Sequence, residues 1–223
     1  MREFDAFAGY PEPAVPRYVS PALRTIHNRI AASYRDKAFY DGDRANGYGG
    51  MVDDGRWGPI ADGLIREYGL GTNSSVLQVG AHKGFLLDEL HRRGIRVSGT
   101  EVSRYAAKQS KIHLYVCPFT DLPYDEESFD LVVCASPVYT LNLADAIRCL
   151  REVQRVSRGR SFVTLGAYED ERDIDGLMLM SYWLLLGCTV LTKADWRAVL
   201  EHAGYTGDYR FDTAKTLNLV REK

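Results

Sequence analysis

SSVLQVGAHKGFLLDEL, residues 74–90, decides how this chain is read. A short apolar run (75–79) leads into a loop flanked by Gly80 and Gly84, and apolar residues at helical spacing follow from Phe85. Strand, glycine loop and helix in that order open a parallel α/β sheet, with the loop's backbone free to approach a ligand at a helix N-terminus. Seventeen residues after Gly84, Glu101 closes the second strand (96–100), where a carboxylate can accept two hydrogen bonds from a ribose diol. Loop and carboxylate together point to a nucleoside.

Outward from this unit the alternation continues. Helical spacing recurs over 85–93, 103–112, 143–156 and 193–202, and strand patterns over 96–100, 114–117, 129–134 and 161–165. Upstream, Leu23, Ile26, Ile30 and Tyr34 predict one amphipathic helix over 20–40, with Ser20 and Pro21 as N-cap and N1, and a second helix runs over 59–68 to Gly69. The proline-broken residues 1–20 predict an extended arm. Segments 208–211 and 216–220 predict a closing antiparallel hairpin. The fold class is therefore α/β: a doubly wound Rossmann-like sheet, mainly parallel, with a C-terminal antiparallel hairpin strand and an N-terminal helical cap. We divide it into an arm, helix and flap (1–58) and a core (59–223) with a lid insertion at about 168–192.

At 223 residues with a formal charge of −2, the chain has the size of one decorated domain and no excess of positive charge to attract a polyanion. Cys117, Cys134, Cys149 and Cys188 are widely spaced and form no zinc pattern, so no metal is expected and the thiols suit a reducing, cytoplasmic compartment. The start is acidic and aromatic rather than basic then apolar, and the apolar stretch 177–191 is interrupted and short of the roughly 20 residues of a membrane span. A core or lid helix is expected there, and neither a nucleic acid nor a membrane as partner.

GAHKGF lacks the G-x-G-x-x-G of a nicotinamide site and the GK[ST] of a P-loop. VLQVGAHKGFLLDEL (76–90) instead resembles the V-L-D-V-G-C-G-x-G motif of class I S-adenosylmethionine-dependent methyltransferases. DLPYDEESFDLVV (121–133) and LREVQRVSRGRSFVTLGA (150–167) resemble that superfamily's next two motifs, in the same order. YDGDRANGYGGMVDDGRWGPIA (40–61) and GCTVLTKADWRAVLEHAGYTGDY (187–209) are similar to a small-molecule branch associated with carbohydrate and natural-product pathways. The departures are Gln78 for the usual acid, His82 for the central glycine, and Pro118 where an aspartate or asparagine often serves the adenine amine, a task left to backbone or Asp121.

The resemblance implies S-adenosyl-L-methionine as cofactor, contacted by Gly80, His82, Gly84, Phe85, Glu101, Val102, Pro118, Phe119 and Ala135. Tyr48, between flexible glycines, is a flap candidate closing on the sulfonium by a cation–π contact, and Arg56 a partner for the methionyl carboxylate. The bland alternatives are that His82 and Lys83 face solvent and that Asp53, Asp54 and Arg56 decorate a helix start. Tyr139 and Tyr48 are the catalytic candidates. A tyrosine with an ordinary pKa near ~10 is a poor base, so positioning is favoured over proton abstraction. Ser136, Tyr139, Tyr168, Tyr182 and Trp183 are expected at the acceptor, with the acidic run after Tyr168 as a further contact and the apolar helix alternatively a homodimer face. The expected activity is methyl transfer to an oxygen or nitrogen of a small metabolite. The rivals are a non-methylating cyclisation or rearrangement in the same pocket, and a non-catalytic binding subunit.

Overall fold

The computed structural model describes residues 1–11 and 15–222, so residues 12–14 of the arm lie outside the described residues. Its centre is a parallel sheet built from β2 (Ser75–Val79), β3 (Arg96–Glu101), β4 (Leu114–Val116), β5 (Leu131–Cys134) and β6 (Ser161–Tyr168) in the order β4-β3-β2-β5-β6. Strand β8 (Asp208–Asp212) extends the sheet along β6, and the two-residue β7 (Leu191–Thr192) pairs with the end of β6.

Both faces of this sheet are covered, and the period-two alternation of the strands sorts the residues between them. Val76, Leu131, Val133 and Phe162 pack with Ile60 and Leu64 of α3 (Trp57–Tyr68) and Leu86 and Leu90 of α4 (Phe85–Arg92). Leu77, Val79, Val132, Cys134 and Val163 face the other way, onto Leu150 and Val153 of α6 (Leu143–Val156) and Trp196 and Leu200 of α8 (Lys193–Ala203). The chain leaves β2 toward β3 and β4, then returns to β5 on β2's other side. The order therefore reverses between β2 and β5, and the loops after these strands meet at the crevice where such sheets bind ligands.

Several expectations are corrected. The C-terminal hairpin does not form. The helix α8 carries the chain back across the sheet, so β8 runs parallel to β6, and β9 (Leu219–Arg221) leaves to pair in parallel with β1 (Arg17–Val19) of the N-terminal arm. That arm is thus partly strand, and Arg2 anchors it further through a fork to Asp208 at 3.0 and 2.7 Å. The single helix over 20–40 is three pieces: a 3-10 turn (Pro21–Leu23), α1 (Ile26–Ser33) and α2 (Lys37–Asp41). A Thr25–Asn28 capping box restarts the helix at Ile26, and Asp36 caps α2. Its apolar stripe faces outward, with Ile26 65% and Tyr34 72% exposed. The apolar helix begins earlier than expected, as α7 (Ile174–Trp183) capped by Asp173, and the chain is extended at Leu184. No helix among the described residues is long and apolar enough to cross a membrane.

Candidate functional site

The glycine loop after β2 retains the backbone of its motif although the sequence departs from it. Gly80, His82 and Gly84 have φ of +72°, +53° and +75°. A left-handed φ is easy for glycine and costs other residues about 1–2 kcal/mol, so His82 holds a conformation meant for glycine. A Cβ on Gly80 would collide with Pro137 of the loop after β5, which explains why the two loops can approach only with glycine there.

His82 and Lys83 do not face solvent. Lys83 is buried and clamps Asp41 at 2.6 and 2.8 Å and the Met51 carbonyl at 2.8 Å, fastening the segment after α2 over the loop. The His82 ring lies between Tyr40, whose hydroxyl is 3.3 Å from Nδ1, and Tyr48, whose hydroxyl is 3.4 Å from Nε2. Tyr48 stacks on Tyr40 with ring centroids 5.8 Å apart. Beneath them Glu101 is fully buried: Oε2 accepts from the His82 N–H at 2.8 Å, and Oε1 from the N–H groups of Val102 and Ser103 at 2.9 and 3.0 Å. Burial lowers the His82 pKa, against the opposing pull of Glu101.

A cavity of about 410 Å³ opens beside this loop. Of the expected site residues it is lined by Tyr48, Arg56, Gly80, His82, Phe119, Ser136, Tyr139 and Trp183. Gly84, Phe85, Glu101, Val102, Pro118 and Ala135 lie outside its lining, Glu101 behind the His82 ring. Tyr168 and Tyr182 also lie outside it. The acidic run is engaged elsewhere: Glu169 with Lys193 at 2.6 Å, Asp170 with Arg172 at 2.9 Å, and Asp173 as the cap of α7. Asp121 is exposed. Arg56 reaches the cavity but its fork grips Asp54, holding that carboxyl at about 2, and its Nη1 donates to the Tyr10 hydroxyl at 2.8 Å.

Tyr139 stands on a 3-10 turn (Val138–Thr140) after β5, packed over Gly166 and against Leu184. Burial raises its pKa, and that of Tyr48, well beyond the ordinary phenol value, so both remain hydroxyls that orient a neighbour and neither serves as a base at neutral pH. Sequence reasoning missed Tyr40, Arg17, Arg24, Arg35 and Arg44. Only Tyr40 had a local signal, as the aromatic residue opening the glycine-rich flap.

Residues 77–164 match the family described as a methyltransferase domain. The stretch from within β2 into β6 is a methyltransferase domain. A Bacillus halodurans C-125 protein assigned as a methyltransferase superposes with a TM-score of 0.55 at 17% identity, over 66% of this chain and 69% of that one. The YcgJ protein of Bacillus subtilis gives 0.54 at 15% identity, over 64% and 66%. A Haloferax volcanii protein assigned as a methyltransferase, solved with the Trm112 methyltransferase activator, gives 0.50 at 20%, over 68% and 73%. Among curated proteins none matches the sequence.

The cofactor of this methyltransferase is S-adenosylmethionine, which supplies an electrophilic methyl group. The residues present fit it at the loop: the glycine backbone after β2 is intact, a buried carboxylate stands at the end of β3, and the cavity reaches both the loop and Phe119. Oε2 of Glu101 accepts one protein N–H and keeps acceptor capacity on the His82 side.

Proposed function

We propose that this methyltransferase transfers the methyl group to an oxygen or nitrogen of a small metabolite, held in the cavity between the sheet's carboxyl edge and the N-terminal segments. The observation that carries this reading is the cavity itself. Its 410 Å³ lies in the range of small-ligand sites, and its walls come from the β2 and β5 loops on one side and from Tyr10, segments within residues 17–56 and residues 183–187 on the other. In this reading the 80–84 loop and Glu101 hold the nucleoside, with the His82 ring moving aside from the carboxylate. Tyr139 and Tyr48 orient the acceptor, and Trp183 with the leucines after α7 excludes water. Domain limits at residue 58 and a lid over 168–192 belong to the same proposal, the cavity-facing part of that lid being 183–187.

Calorimetric titration with S-adenosylmethionine and S-adenosylhomocysteine, followed by an acceptor screen, tests it. Micromolar binding of both, with turnover of a small acceptor, is expected. Absence of binding to either would overturn it in favour of a non-catalytic subunit in which the His82 ring keeps Glu101 shut off. Binding with acceptor conversion but no methylated product would assign the pocket to a rearrangement.

A further inference from the structure

The cavity has a second property that neither the fold nor the methyl chemistry requires. Arg17, Arg24, Arg35, Arg44 and Arg56 line it, against one carboxylate, Asp212. In a chain whose 30 acids outnumber its 28 basic residues, this is a local concentration rather than an overall surplus. Asp212 is already spoken for, since Arg210 donates to it at 3.1 and 2.8 Å, and Arg56 is held by Asp54.

The other four have no carboxylate within ion-pair distance among the described residues. Arg17 reaches the Leu217 carbonyl at 3.4 Å, Arg35 the Thr140 hydroxyl at 3.0 Å, and Arg44 the Gly47 carbonyl. Three of them surround one indole: the guanidinium carbons of Arg17, Arg24 and Arg44 stand 5.0, 5.2 and 5.3 Å from the centroid of Trp183. Cation–π contact stabilises each, but like charges around a single ring repel one another. Burial, with Arg44 and Arg29 nearby, pushes Arg24 down to about 10, and burial also lowers Arg17 and Arg44. Collecting guanidinium groups along a wall where Arg17, Arg24 and Arg35 are half-buried and Arg44 is exposed, with no carboxylate paired to them among the described residues, is unfavourable unless a ligand brings that charge.

We infer that the acceptor of this methyltransferase is an anion, bound through a phosphate or carboxylate group by Arg17, Arg24 and Arg44 around Trp183, with Arg35 flanking. All four are arginine rather than lysine, which matches the planar, forked geometry of oxyanion recognition. One cofactor carboxylate engages one or two such forks, so the set exceeds what the cofactor needs. The inference deepens the proposed function and rests on its placement of the acceptor.

The test is calorimetric titration of the full chain at low salt with inorganic pyrophosphate and, separately, citrate, each with and without saturating S-adenosylhomocysteine. Binding of at least one anion in both conditions is expected, pyrophosphate preference indicating a phosphorylated acceptor and citrate preference a carboxylated one. Arg24→Gln and Arg44→Gln should each weaken that binding by about tenfold or more, with Arg24→Lys intermediate and S-adenosylhomocysteine affinity within about twofold. Arg24→Gln should melt within a few degrees of the parent, because the lost cation–π contact and the relieved repulsion oppose one another, so loss of fold does not imitate loss of the site. Three results would overturn the inference: no anion binding by a protein that binds S-adenosylhomocysteine, anion binding indifferent to both substitutions, or complete competition by S-adenosylhomocysteine, which would give the arginines to the cofactor. Anion binding without S-adenosylhomocysteine binding would sink the proposed function while leaving the anion site standing.

Discussion

Glu101→Ala is the substitution whose consequences the structure states most fully. The carboxylate accepts three backbone N–H groups, from His82, Val102 and Ser103, inside a fully buried pocket. Removing it leaves three donors without an acceptor, at about 1–3 kcal/mol each, and water entering the vacated space recovers part of that. A net loss of roughly 3–6 kcal/mol follows, and with about 2–4 °C per kcal/mol for a domain of this size, even the lower figure moves the melting temperature by about 6–12 °C. Glu101→Gln should fall between parent and alanine variant, because the amide oxygen still accepts while its NH₂ faces a donor. Thermal unfolding by circular dichroism reads the first effect, and S-adenosylhomocysteine calorimetry below the melting range reads a second, weakened binding. A Glu101→Ala protein melting within about 1 °C of the parent would refute the role of Glu101 as acceptor for these three donors. A lowered melting temperature with unchanged affinity would show that Glu101 builds the loop without holding the ribose.

Two further outcomes follow from the same loop. His82 has its pKa lowered by burial, so the folded state refuses a proton that the unfolded state accepts: its contribution is complete above the ordinary value of 6.5 and is lost as pH falls from there through the lowered folded value. Urea denaturation between pH 8 and pH 5 should show a steeper loss for the parent than for His82→Asn, a residue that tolerates the same positive φ, and parallel profiles would contradict the assignment. Gly80→Ala combines a φ of +72° with a clash against Pro137 and should cost about 2 kcal/mol or more while weakening S-adenosylhomocysteine binding; a soluble variant that melts and binds like the parent would show that the β2 and β5 loops separate freely.

The sequence by itself determined the core. Runs such as 75–79 and 129–134, glycines at 69, 80 and 84, and the helix pattern over 143–156 are local signals, each set by backbone geometry or by a period, and they suffice for the parallel sheet and for where its ligand crevice opens. Local signals failed where partners are distant in sequence. The antiparallel hairpin was wrong because the direction of β8 depends on α8 crossing the sheet, and β9 found its partner some two hundred residues away in Arg17–Val19. The stripe of Leu23, Ile26, Ile30 and Tyr34 promised a buried face, yet the capping box and the reach of Arg29 to the Ser181 carbonyl at 2.7 Å turned it outward. The cavity shows the same division. Gly80, His82, Ser136 and Tyr139 could be named from motif positions beside the switch between β2 and β5, whereas Arg17, Arg24 and Arg35 lie in segments with no motif, Arg44 in a stretch whose resemblance gives it no role, and the four become one wall only when the arm pairs with β9 and the flap is pinned by Lys83 to Asp41. Periodicity reports which face a residue takes within its own element, and only the assembled chain decides which charges then share a cavity.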